Sequence, residues 1–480
     1  MSVGTPLVVD LDGTLTPTDT LVESLIQFAK QFPLQLLSLF FSLFKGRAQF
    51  KHDVAARVQL SVAHLPYHEP FLAYLRGEKE KGRRIVLATA AHHSIAQGVG
   101  AHLKIFDQVL ATEAGRNLKG KTKLEAIRQS VGDSFVYAGD SHADIPIWRA
   151  AQAAILVGVT PSVASTIRRD MPIEREFQLE SAGPSVWFRA LRVHQWLKNL
   201  LLFVPLLTTF SFMEIGKLAT MSLAFVAFSL MASATYLLND LWDLENDRNH
   251  PRKRERPFAS ARIPIWQGLA VAGCTLVAAL LLAAGVSQGF FLMLLLYLVL
   301  TSAYSWALKE YVLIDVILLS LLYTLRILAG AVAIGATMSS WLLVFSVFMF
   351  LSLALVKRCA ELISLDQTGG VAARGRDYRV TDLGVLLPLG VAAALSAEVV
   401  FGLFISAPET QIRYATPQLL WLVAIGLIYW LARLWIKTTR GEMHDDPVVY
   451  ALKDRGSRVT VVAMVAVMLA AHFLTLSNFA

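Results

Sequence analysis

Four stretches in the first 150 residues carry side chains suited to phosphoryl transfer. They contain Asp10 and Asp12, Thr89, Lys121 and Lys123, and Asp140 with Asp144. A carboxylate can attack phosphorus and form an aspartyl-phosphate, and further carboxylates can hold a Mg²⁺ ion that neutralises phosphoryl oxygens. A hydroxyl and an ammonium group can bind the remaining oxygens. An aspartate two residues after the nucleophile can protonate the leaving oxygen and then activate water.

A second set of acids follows a long apolar run. Asp240, Asp243 and Asp247 are spaced i, i+3, i+7, so a continuing helix would place them on one face. Three carboxylates on one face repel one another unless a cation lies between them, and Mg²⁺ suits oxygen ligands that face a substrate phosphate. Lys253 and Arg256 follow and suit the outer phosphate oxygens. The alternative is a loop charged only for membrane orientation, which leaves the regular spacing of the acids unexplained.

The N-terminal groups follow short apolar runs that read as strands. Asp10, Thr89 and Asp140 each come directly after such a run, and helical stretches separate the runs. Ligands of an open parallel sheet bind beyond the carboxyl ends of its strands. The pattern therefore predicts an α/β, Rossmann-like domain over residues 1–180, with these side chains gathered at one edge.

The composition indicates a membrane protein. Of the 480 residues, 55% are hydrophobic and 17% are charged, against about 25% charged in soluble proteins. The net charge of +8 in such a chain favours basic cytoplasmic loops over a nucleic-acid surface, so no nucleic-acid partner is expected. The two cysteines provide neither a metal-binding spacing nor a disulfide framework. The N-terminus lacks the pattern of a signal peptide and is expected in the cytosol.

Residues 191–480 contain nine apolar runs of about membrane-spanning length. The runs lie near 196–213, 217–239, 265–286, 288–307, 311–335, 340–363, 380–406, 416–436 and 459–478. With the N-terminus inside, the inner loops hold 17 Lys and Arg residues and the outer loops hold one. This bias predicts an all-α, nine-span bundle in the cell (inner) membrane, with its C-terminus outside. Residues 181–190 are the predicted linker between the two domains.

The four N-terminal motifs, in this order, resemble the haloacid dehalogenase-like (HAD) phosphatases. The resemblance implies that Asp10 is the nucleophile, Asp12 the general acid and base, and that Thr89 and Lys123 bind the phosphoryl group. It also implies Mg²⁺ ligation by Asp10, Asp140 and Asp144, and an inserted helical cap at about residues 16–75. Within that cap, residues 34–44 (LQLLSLFFSLF) read either as a buried helix or as a surface that docks on the bilayer or the membrane domain.

The larger half resembles the UbiA superfamily of intramembrane prenyltransferases, and within it the decaprenyl-phosphate phosphoribosyltransferases. Three stretches carry the resemblance: RVHQWLKN from Arg192, NDLWDLENDRNHPRKRERP from Asn239, and KRCAEL from Lys357. It implies Mg²⁺ held by Asp240, Asp243 and Asp247, with phosphoribosyl diphosphate, a polyprenyl phosphate and membrane lipids as partners. The substrate-binding residues that it implies, together with those chosen for charge, are Arg192, Lys198, Asn199, Asn239, Arg248, Lys253, Arg256, Arg326, Lys357, Arg358 and Glu361. No clear second Asp-rich motif is present, so the number of metal ions stays open.

A membrane-embedded arginine and two alternative functions complete the expectations. Arg326 lies mid-span, where a charge faces either a substrate cavity or an intramembrane partner such as Glu398.

The leading hypothesis is phosphoribosyl transfer to the lipid phosphate, followed by removal of the 5-phosphate by the N-terminal domain. The alternatives are a polyprenyltransferase acting on an aromatic acceptor such as 4-hydroxybenzoate, and a non-catalytic scaffold or transporter.

Overall fold

The computed structural model describes residues 4–42, 44, 46–113, 116–179, 182–371, 376–443 and 447–475. The predicted linker begins at Ser181, outside these residues. Contacts within the chain define two units. The first unit comprises residues 1–192 together with 236–273, and the second comprises residues 193–235 together with 274–480.

The first unit is built on a six-stranded parallel sheet with the strand order β3-β2-β1-β4-β5-β6. The strands are β1 Leu7–Val9, β2 Ile85–His92, β3 Gln108–Thr112, β4 Val136–Gly139, β5 Ala153–Val157 and β6 Ile173–Phe177. Val9 at the end of β1 is in register with Leu87 on one side and Ala138 on the other. The central strands are buried on both faces, as expected of a parallel sheet covered by helices. The predicted α/β domain is confirmed.

Nine helices follow or separate these strands. They are α1 Thr20–Gln31, α2 Leu36–Ser42, α3 Arg47–Ala55, α4 Glu69–Glu80, α5 His93–Leu103, α6 Lys121–Val131, α7 Ile145–Trp148, α8 Pro161–Asp170 and α9 Pro184–Ala190. The Asp19 carboxylate caps α1 by accepting hydrogen bonds from the backbone N–H groups of Leu21 and Val22. Helix α9 lies within the predicted linker.

The residues between β1 and β2 form helices α1 to α4. A small core of Phe28, Leu39, Phe50, Val54 and Val58 holds the first three together. Within the apolar stretch 34–44, Leu39 is buried as a helix of this insertion requires, whereas Leu34 is 92% exposed and Phe41 and Phe44 are also exposed. The buried Leu39 agrees with the first interpretation, and the docking surface stays a prediction for the exposed side chains.

The remaining helices continue in chain order through the apolar half. They are α10 Val204–Thr208, α11 Ile215–Trp242, α12 Leu244–Arg248, α13 Ile265–Val286, α14 Gln288–Trp306, α15 Ile314–Ala333, α16 Ser340–Gln367, α17 Leu383–Ser406, α18 Pro408–Arg413, α19 Leu420–Thr439, α20 Pro447–Lys453 and α21 Arg455–Phe473. Helix α12 and the loop after it belong to the first unit. A buried apolar cluster joins α15, α16, α17 and α19 in the second unit.

Eight helices within the described residues are long and apolar enough to cross a membrane. They are Ile215–Trp242, Ile265–Val286, Gln288–Trp306, Ile314–Ala333, Ser340–Gln367, Val380–Ser406, Pro417–Thr439 and Arg455–Phe473. The first of the nine predicted runs, 196–213, is not one long helix. It is broken into a 3₁₀-helix over Val193–Phe203, the short α10 and another 3₁₀ turn over Ser211–Met213. Pro205 lacks a backbone N–H and Lys198 is charged, which disfavours one continuous apolar helix here. The prediction that the C-terminus lies outside the membrane rested on an odd number of spans, and it stays a prediction.

Candidate functional site

The first candidate site lies at the carboxyl ends of β1 and β4. Asp10 follows β1, Asp140 follows β4, and Asp144 ends the 3₁₀ turn after β4. One carboxylate oxygen of each residue lies within 4.8 Å of the other two, which makes them the only group of three or more potential metal-ligating side chains within the described residues. Three oxygen donors this close suit Mg²⁺. The structure thus brings together the three acids predicted to share a metal ion.

A chain of polar contacts links these acids through Lys123, at the start of α6. The Lys123 ammonium lies 2.6 Å from Asp10 Oδ2 and donates to the Tyr137 hydroxyl at 2.7 Å. That hydroxyl donates in turn to Asp144 Oδ1 at 2.8 Å. Lys123 is buried, whereas Lys121 is exposed. Sequence reasoning missed Tyr137, although its place on the strand leading to Asp140 was a usable signal.

Gly13 is required where the chain turns between Asp12 and Thr14. Its φ is +79°, and a Cβ atom at this position would lie 2.2 Å from Asp140 Oδ2. Thr14 donates a hydrogen bond to Asp140 Oδ1 at 3.3 Å. The tight turn therefore lets the β1 and β4 loops approach closely enough for their carboxylates to meet.

Burial and nearby negative charges raise the pKa values of Asp10, Asp12 and Asp140. Burial is the main cause that raises the pKa of Asp140 to about 8, and the charges of Asp10 and Asp144 add to it. Burial likewise raises the pKa of Asp10, although Lys123 opposes the shift. A divalent cation would relieve this repulsion, so the residues present fit a Mg²⁺ ion. Burial, with the nearby charge of Asp19, raises the pKa of Asp12 to about 7, which suits a group that must give and take a proton.

A cavity of about 250 Å³ opens above these carboxylates. Lys51 from α3 and His92 at the end of β2 line it together with Asp10, Asp12 and Lys123. Lys51 and His92 were not selected from the sequence as site residues. Thr89 is fully buried one residue before the lining residue Ala90, and its hydroxyl accepts a hydrogen bond from the backbone N–H of Ala91 at 3.0 Å.

The aspartate cluster, Asp240, Asp243 and Asp247, forms the second candidate site and is held by arginines. Arg256 Nη1 lies 3.1 Å from Asp240 Oδ1 and 2.7 Å from Asp247 Oδ2, so it bridges two of the acids. Arg192 Nη2 lies 2.5 Å from the same oxygen of Asp240. Burial raises the pKa of Asp247, while Arg256 and Lys253 oppose the shift.

The helix does not continue straight through the aspartate cluster. Helix α11 ends at Trp242, Asp243 occupies a turn, and α12 begins at Leu244. The Asp243 carboxylate accepts a hydrogen bond from the Asn239 side chain at 3.3 Å. The predicted continuous helix is therefore interrupted at Asp243, and Arg256 brings Asp240 and Asp247 together.

Arg248, a predicted substrate-binding residue, pairs with Glu23 instead of with the acids of the aspartate cluster. Its Nη1 and Nη2 each lie 2.7 Å from a carboxylate oxygen of Glu23 on α1, and its Nε donates to the Ala259 carbonyl at 3.1 Å. This buried ion pair occupies the guanidinium, so the arrangement does not support the predicted contact between Arg248 and substrate.

Three of the predicted substrate-binding residues converge in the second unit. Arg326 donates to the Asn199 side chain at 3.0 Å and to the Tyr297 hydroxyl at 3.2 Å. Lys198 and Arg326 both lie against the ring of Tyr323, at 5.8 and 5.3 Å from its centroid. The suggested pairing of Arg326 with Glu398 is wrong for the described residues, because neither Glu398 oxygen has a hydrogen-bond partner there.

Arg358 belongs to another buried group in the same unit, and the exposed Glu361 lies at the border of that group. Arg358 Nη2 lies 2.6 Å from Asp315 Oδ2, and both side chains are almost fully inaccessible. The Tyr378 hydroxyl donates to the other Asp315 oxygen at 2.5 Å, while Glu361 pairs with Arg358 and Arg376. The predicted substrate contact of Arg358 is not supported, because its charge is already matched by a buried carboxylate. Lys357 is half-buried on the preceding position of α16.

Two families match the chain in adjacent regions. Residues 7–149 match the haloacid dehalogenase-like hydrolases, and residues 202–453, more than half of the chain, match the UbiA prenyltransferase family. The first match covers the parallel sheet through Trp148, and the second covers most of the apolar helices. Together they identify an enzyme with a hydrolase-type and a transferase-type domain.

Curated relatives match either most of this chain or somewhat more than half of it. The uncharacterized protein y4nM of Sinorhizobium fredii is 38% identical over 94% of this chain and 88% of its own length. The nodulation protein NoeC of Azorhizobium caulinodans is 34% identical over 57% of this chain and 89% of its length. The decaprenyl-phosphate phosphoribosyltransferase of Mycolicibacterium smegmatis is 30% identical over 62% of this chain and 96% of its length. The chain therefore belongs to the UbiA prenyltransferase family and carries a haloacid dehalogenase-like domain at its N-terminus.

Proposed function

We propose that the membrane half transfers a 5-phosphoribosyl group from phosphoribosyl diphosphate to a polyprenyl phosphate. The N-terminal domain then removes the 5-phosphate from the lipid-linked sugar. The observation that carries the proposal is the presence, in one unit, of an acid–arginine cluster suited to a diphosphate and a nucleophilic Asp10 site suited to a phosphate monoester. The likeness to decaprenyl-phosphate phosphoribosyltransferases supports the choice of donor and acceptor.

Transfer breaks the bond between ribose C1 and the diphosphate oxygen and forms a bond from C1 to the lipid phosphate. Positive charge grows at C1 as in other glycosyl transfers. Once Arg256 releases Asp240 and Asp247, these two carboxylates and that of Asp243 would hold Mg²⁺, and the ion would supply charge neutralisation to the departing diphosphate. Arg192, Arg256 and Lys253 bind the outer diphosphate oxygens, with Asn239 orienting Asp243.

The lipid phosphate is assigned to basic residues of the membrane half. Lys198 and Arg326 lie on the ring of Tyr323, and Asn199 fixes the Arg326 guanidinium. An arginine held among aromatic rings inside the bundle attracts a phosphate group. Lys357 is the further candidate for this role. Arg358 and Glu361 act indirectly, by fixing the end of α16 against Asp315.

Hydrolysis of the 5-phosphate uses the carboxylates of the first site. An Asp10 oxygen attacks phosphorus, the bond to the sugar oxygen breaks, and Asp12 gives that oxygen a proton. Water then attacks the aspartyl-phosphate, Asp12 takes its proton, and inorganic phosphate leaves with Asp10 restored. Lys123 and Thr89 bind the phosphoryl oxygens, and Asp10, Asp140 and Asp144 would hold Mg²⁺ to supply charge neutralisation.

Fusion of the two activities raises the effective concentration of the phosphatase for the transferase product. The excess of basic residues in the predicted inner loops supports a cytoplasmic position for the N-terminal domain and a location in the cell membrane. Both reactions then take place on the cytosolic side.

The test is a transfer assay with the full-length protein in lipid vesicles, radiolabelled phosphoribosyl diphosphate and polyprenyl phosphate. The wild type is expected to form a labelled, dephosphorylated lipid. Asp10→Asn should accumulate the 5-phosphorylated lipid while transfer continues. Asp243→Ala should abolish transfer and leave hydrolysis of p-nitrophenyl phosphate intact.

Two results would contradict the proposal. Turnover of polyprenyl diphosphate with 4-hydroxybenzoate, with no use of phosphoribosyl diphosphate, would assign the membrane half to aromatic prenylation. A normal rate of dephosphorylated lipid in Asp10→Asn would show that the two reactions are not coupled as proposed.

A further inference from the structure

One face of α1, in the phosphatase insertion, packs against the segment that carries the aspartate cluster. Val22 and Ile26 of α1 contact the apolar cluster formed by Leu241, Leu244 and their neighbours around α12. Glu23 lies between these two apolar contacts and is itself 3% exposed. A phosphatase residue is thus buried against the segment on which the proposed transfer depends.

The polar centre of this contact is the ion pair between Glu23 and Arg248. The two parallel bonds of 2.7 Å give the most directional form of a carboxylate–guanidinium contact. The side chains are 3% and 8% exposed, so the loss of either charge would leave the other buried without compensation. Gln27, one turn further along α1, donates a second hydrogen bond to Glu245.

Through its position in the chain, Arg248 connects the ion pair to the aspartate cluster. Arg248 directly follows Asp247, and its Nε holds the Ala259 carbonyl at 3.1 Å, three residues beyond Arg256. Arg256 is the guanidinium that bridges Asp240 and Asp247. The Glu23–Arg248 pair therefore fixes both the short helix that carries Asp247 and the loop segment that carries Arg256.

We propose that Glu23 is a positioning residue for the aspartate cluster, so that transfer depends on the N-terminal domain through the Glu23–Arg248 pair. This inference rests on the proposed transfer reaction. Glu23 does not take part in the phosphatase chemistry. The contact of α1 with that site is made instead by the backbone N–H of Thr20, which donates to Asp12 at 2.9 Å.

The first experiment measures the Mg²⁺ dependence of transfer in full-length protein in vesicles, with Glu23→Gln as the variant. Loss of an outer partner of a metal site typically lowers metal affinity about 10-fold to 100-fold, and we expect a rise of that order in the Mg²⁺ needed for half-maximal transfer. Hydrolysis of p-nitrophenyl phosphate should stay at the wild-type rate. Glu69→Gln, an exposed glutamate of α4, is the matched control and should change neither activity.

Two further measurements separate positioning from a general loss of structure. The reciprocal variant, Glu23→Arg with Arg248→Glu, should recover much of the Mg²⁺ response. Hydrogen exchange of residues 244–259 should be faster in Glu23→Gln and unchanged in Glu69→Gln, and this measurement needs no transferase substrate.

The outcomes distinguish this inference from the proposed function. An unchanged Mg²⁺ response together with unchanged exchange in Glu23→Gln would overturn the positioning role. If the wild type fails to use phosphoribosyl diphosphate, the proposed function fails, while the exchange measurement still decides whether Glu23 holds the segment. Equal loss of transfer and hydrolysis in Glu23→Gln would overturn positioning in favour of a fold-wide effect.

Discussion

The two acidic sites of the first unit balance their carboxylates in different ways. At the sheet edge, the Lys123 ammonium contacts Asp10, and the neighbouring acids remain close to one another. In the aspartate cluster, the forked guanidinium of Arg256 joins Asp240 to Asp247, and Arg192 adds a second positive charge on Asp240. The first site thus sets one contacting cation against three acids, whereas the second sets two arginines against three acids.

This difference indicates how each site responds to a cation. An ammonium is a compact point charge and leaves the other oxygens of the sheet-edge site available to a divalent ion. A guanidinium binds two carboxylates at once, so the aspartate cluster must exchange arginine contacts when a cation and a diphosphate arrive. We expect the phosphatase site to be largely preformed and the transferase site to rearrange on substrate binding.

The largest expected effect comes from removing the sheet-edge ammonium. Lys123→Met should lower hydrolysis of p-nitrophenyl phosphate by about 10²-fold to 10³-fold, because a positioned charge on the phosphoryl group is lost. Steady-state rates measure the effect. Lys121→Met, two residues earlier and exposed, is the control. A comparable loss in that control would mean that the sheet edge does not rely on one buried cation.

A smaller effect is expected in the aspartate cluster, because two arginines contact its acids. Arg256→Gln should reduce transfer by about 10-fold to 100-fold, since Asp240 and Asp247 lose their bridge but Arg192 remains. Hydrolysis should be unaffected. Arg254→Gln, on the exposed part of the same loop, provides the control. Faster transfer in Arg256→Gln would instead show that the bridge blocks the site.

The close approach of the loops after β1 and β4 is tested by adding a Cβ atom at position 13. Gly13→Ala should lower the free energy of unfolding by about 1–3 kcal/mol through strain, and should lower hydrolysis by displacing Asp140. Thermal melting and steady-state rates report the two effects. Gly82→Ala has a similar φ of +84° but no atom near the added Cβ, so it isolates strain from collision. If both variants hydrolyse p-nitrophenyl phosphate equally well, the collision is unimportant.

The smallest effect concerns the hydroxyl between Lys123 and Asp144. Tyr137→Phe removes two buried hydrogen bonds and should weaken Mg²⁺ binding in the hydrolysis assay by about fivefold, equivalent to about 1 kcal/mol. Mg²⁺ titration of the hydrolysis rate measures it. Tyr74→Phe, whose hydroxyl contacts the exposed Glu174, should leave the titration unchanged. An unaltered titration in Tyr137→Phe would mean that Asp144 is positioned by its backbone contacts alone.

The sequence pattern predicted the sheet-edge site well, because each of its strands can be recognised from the residues of that strand alone. Asp10 and Asp140 each end a strand, and parallel strands bring their carboxyl ends together without further information. The aspartate cluster depended on whether a helix continues past Trp242, and the turn at Asp243 follows from packing that spacing alone does not reveal. The broken first apolar run differs, because Pro205 and Lys198 are local signals against one continuous apolar helix.

Long-range pairing explains the remaining misses. Arg248 reads as one more phosphate ligand in its basic loop, yet its partner Glu23 lies 225 positions away in the chain. Arg358 likewise meets Asp315 from another helix. Such pairs form only when distant segments pack, so a single sequence carries no signal of them beyond the charge of each residue.

The apolar cluster shared by α1, α9 and residues 237–272 has a consequence for gene architecture. A truncated polypeptide ending near Arg192 would leave Val22, Ile26 and Trp187 without the side chains that cover them here. Separate expression of the hydrolase should therefore yield aggregates, and fission of the gene between its two halves would require new surface residues on α1. Within the single chain, folding of residues 237–272 keeps these three side chains away from water.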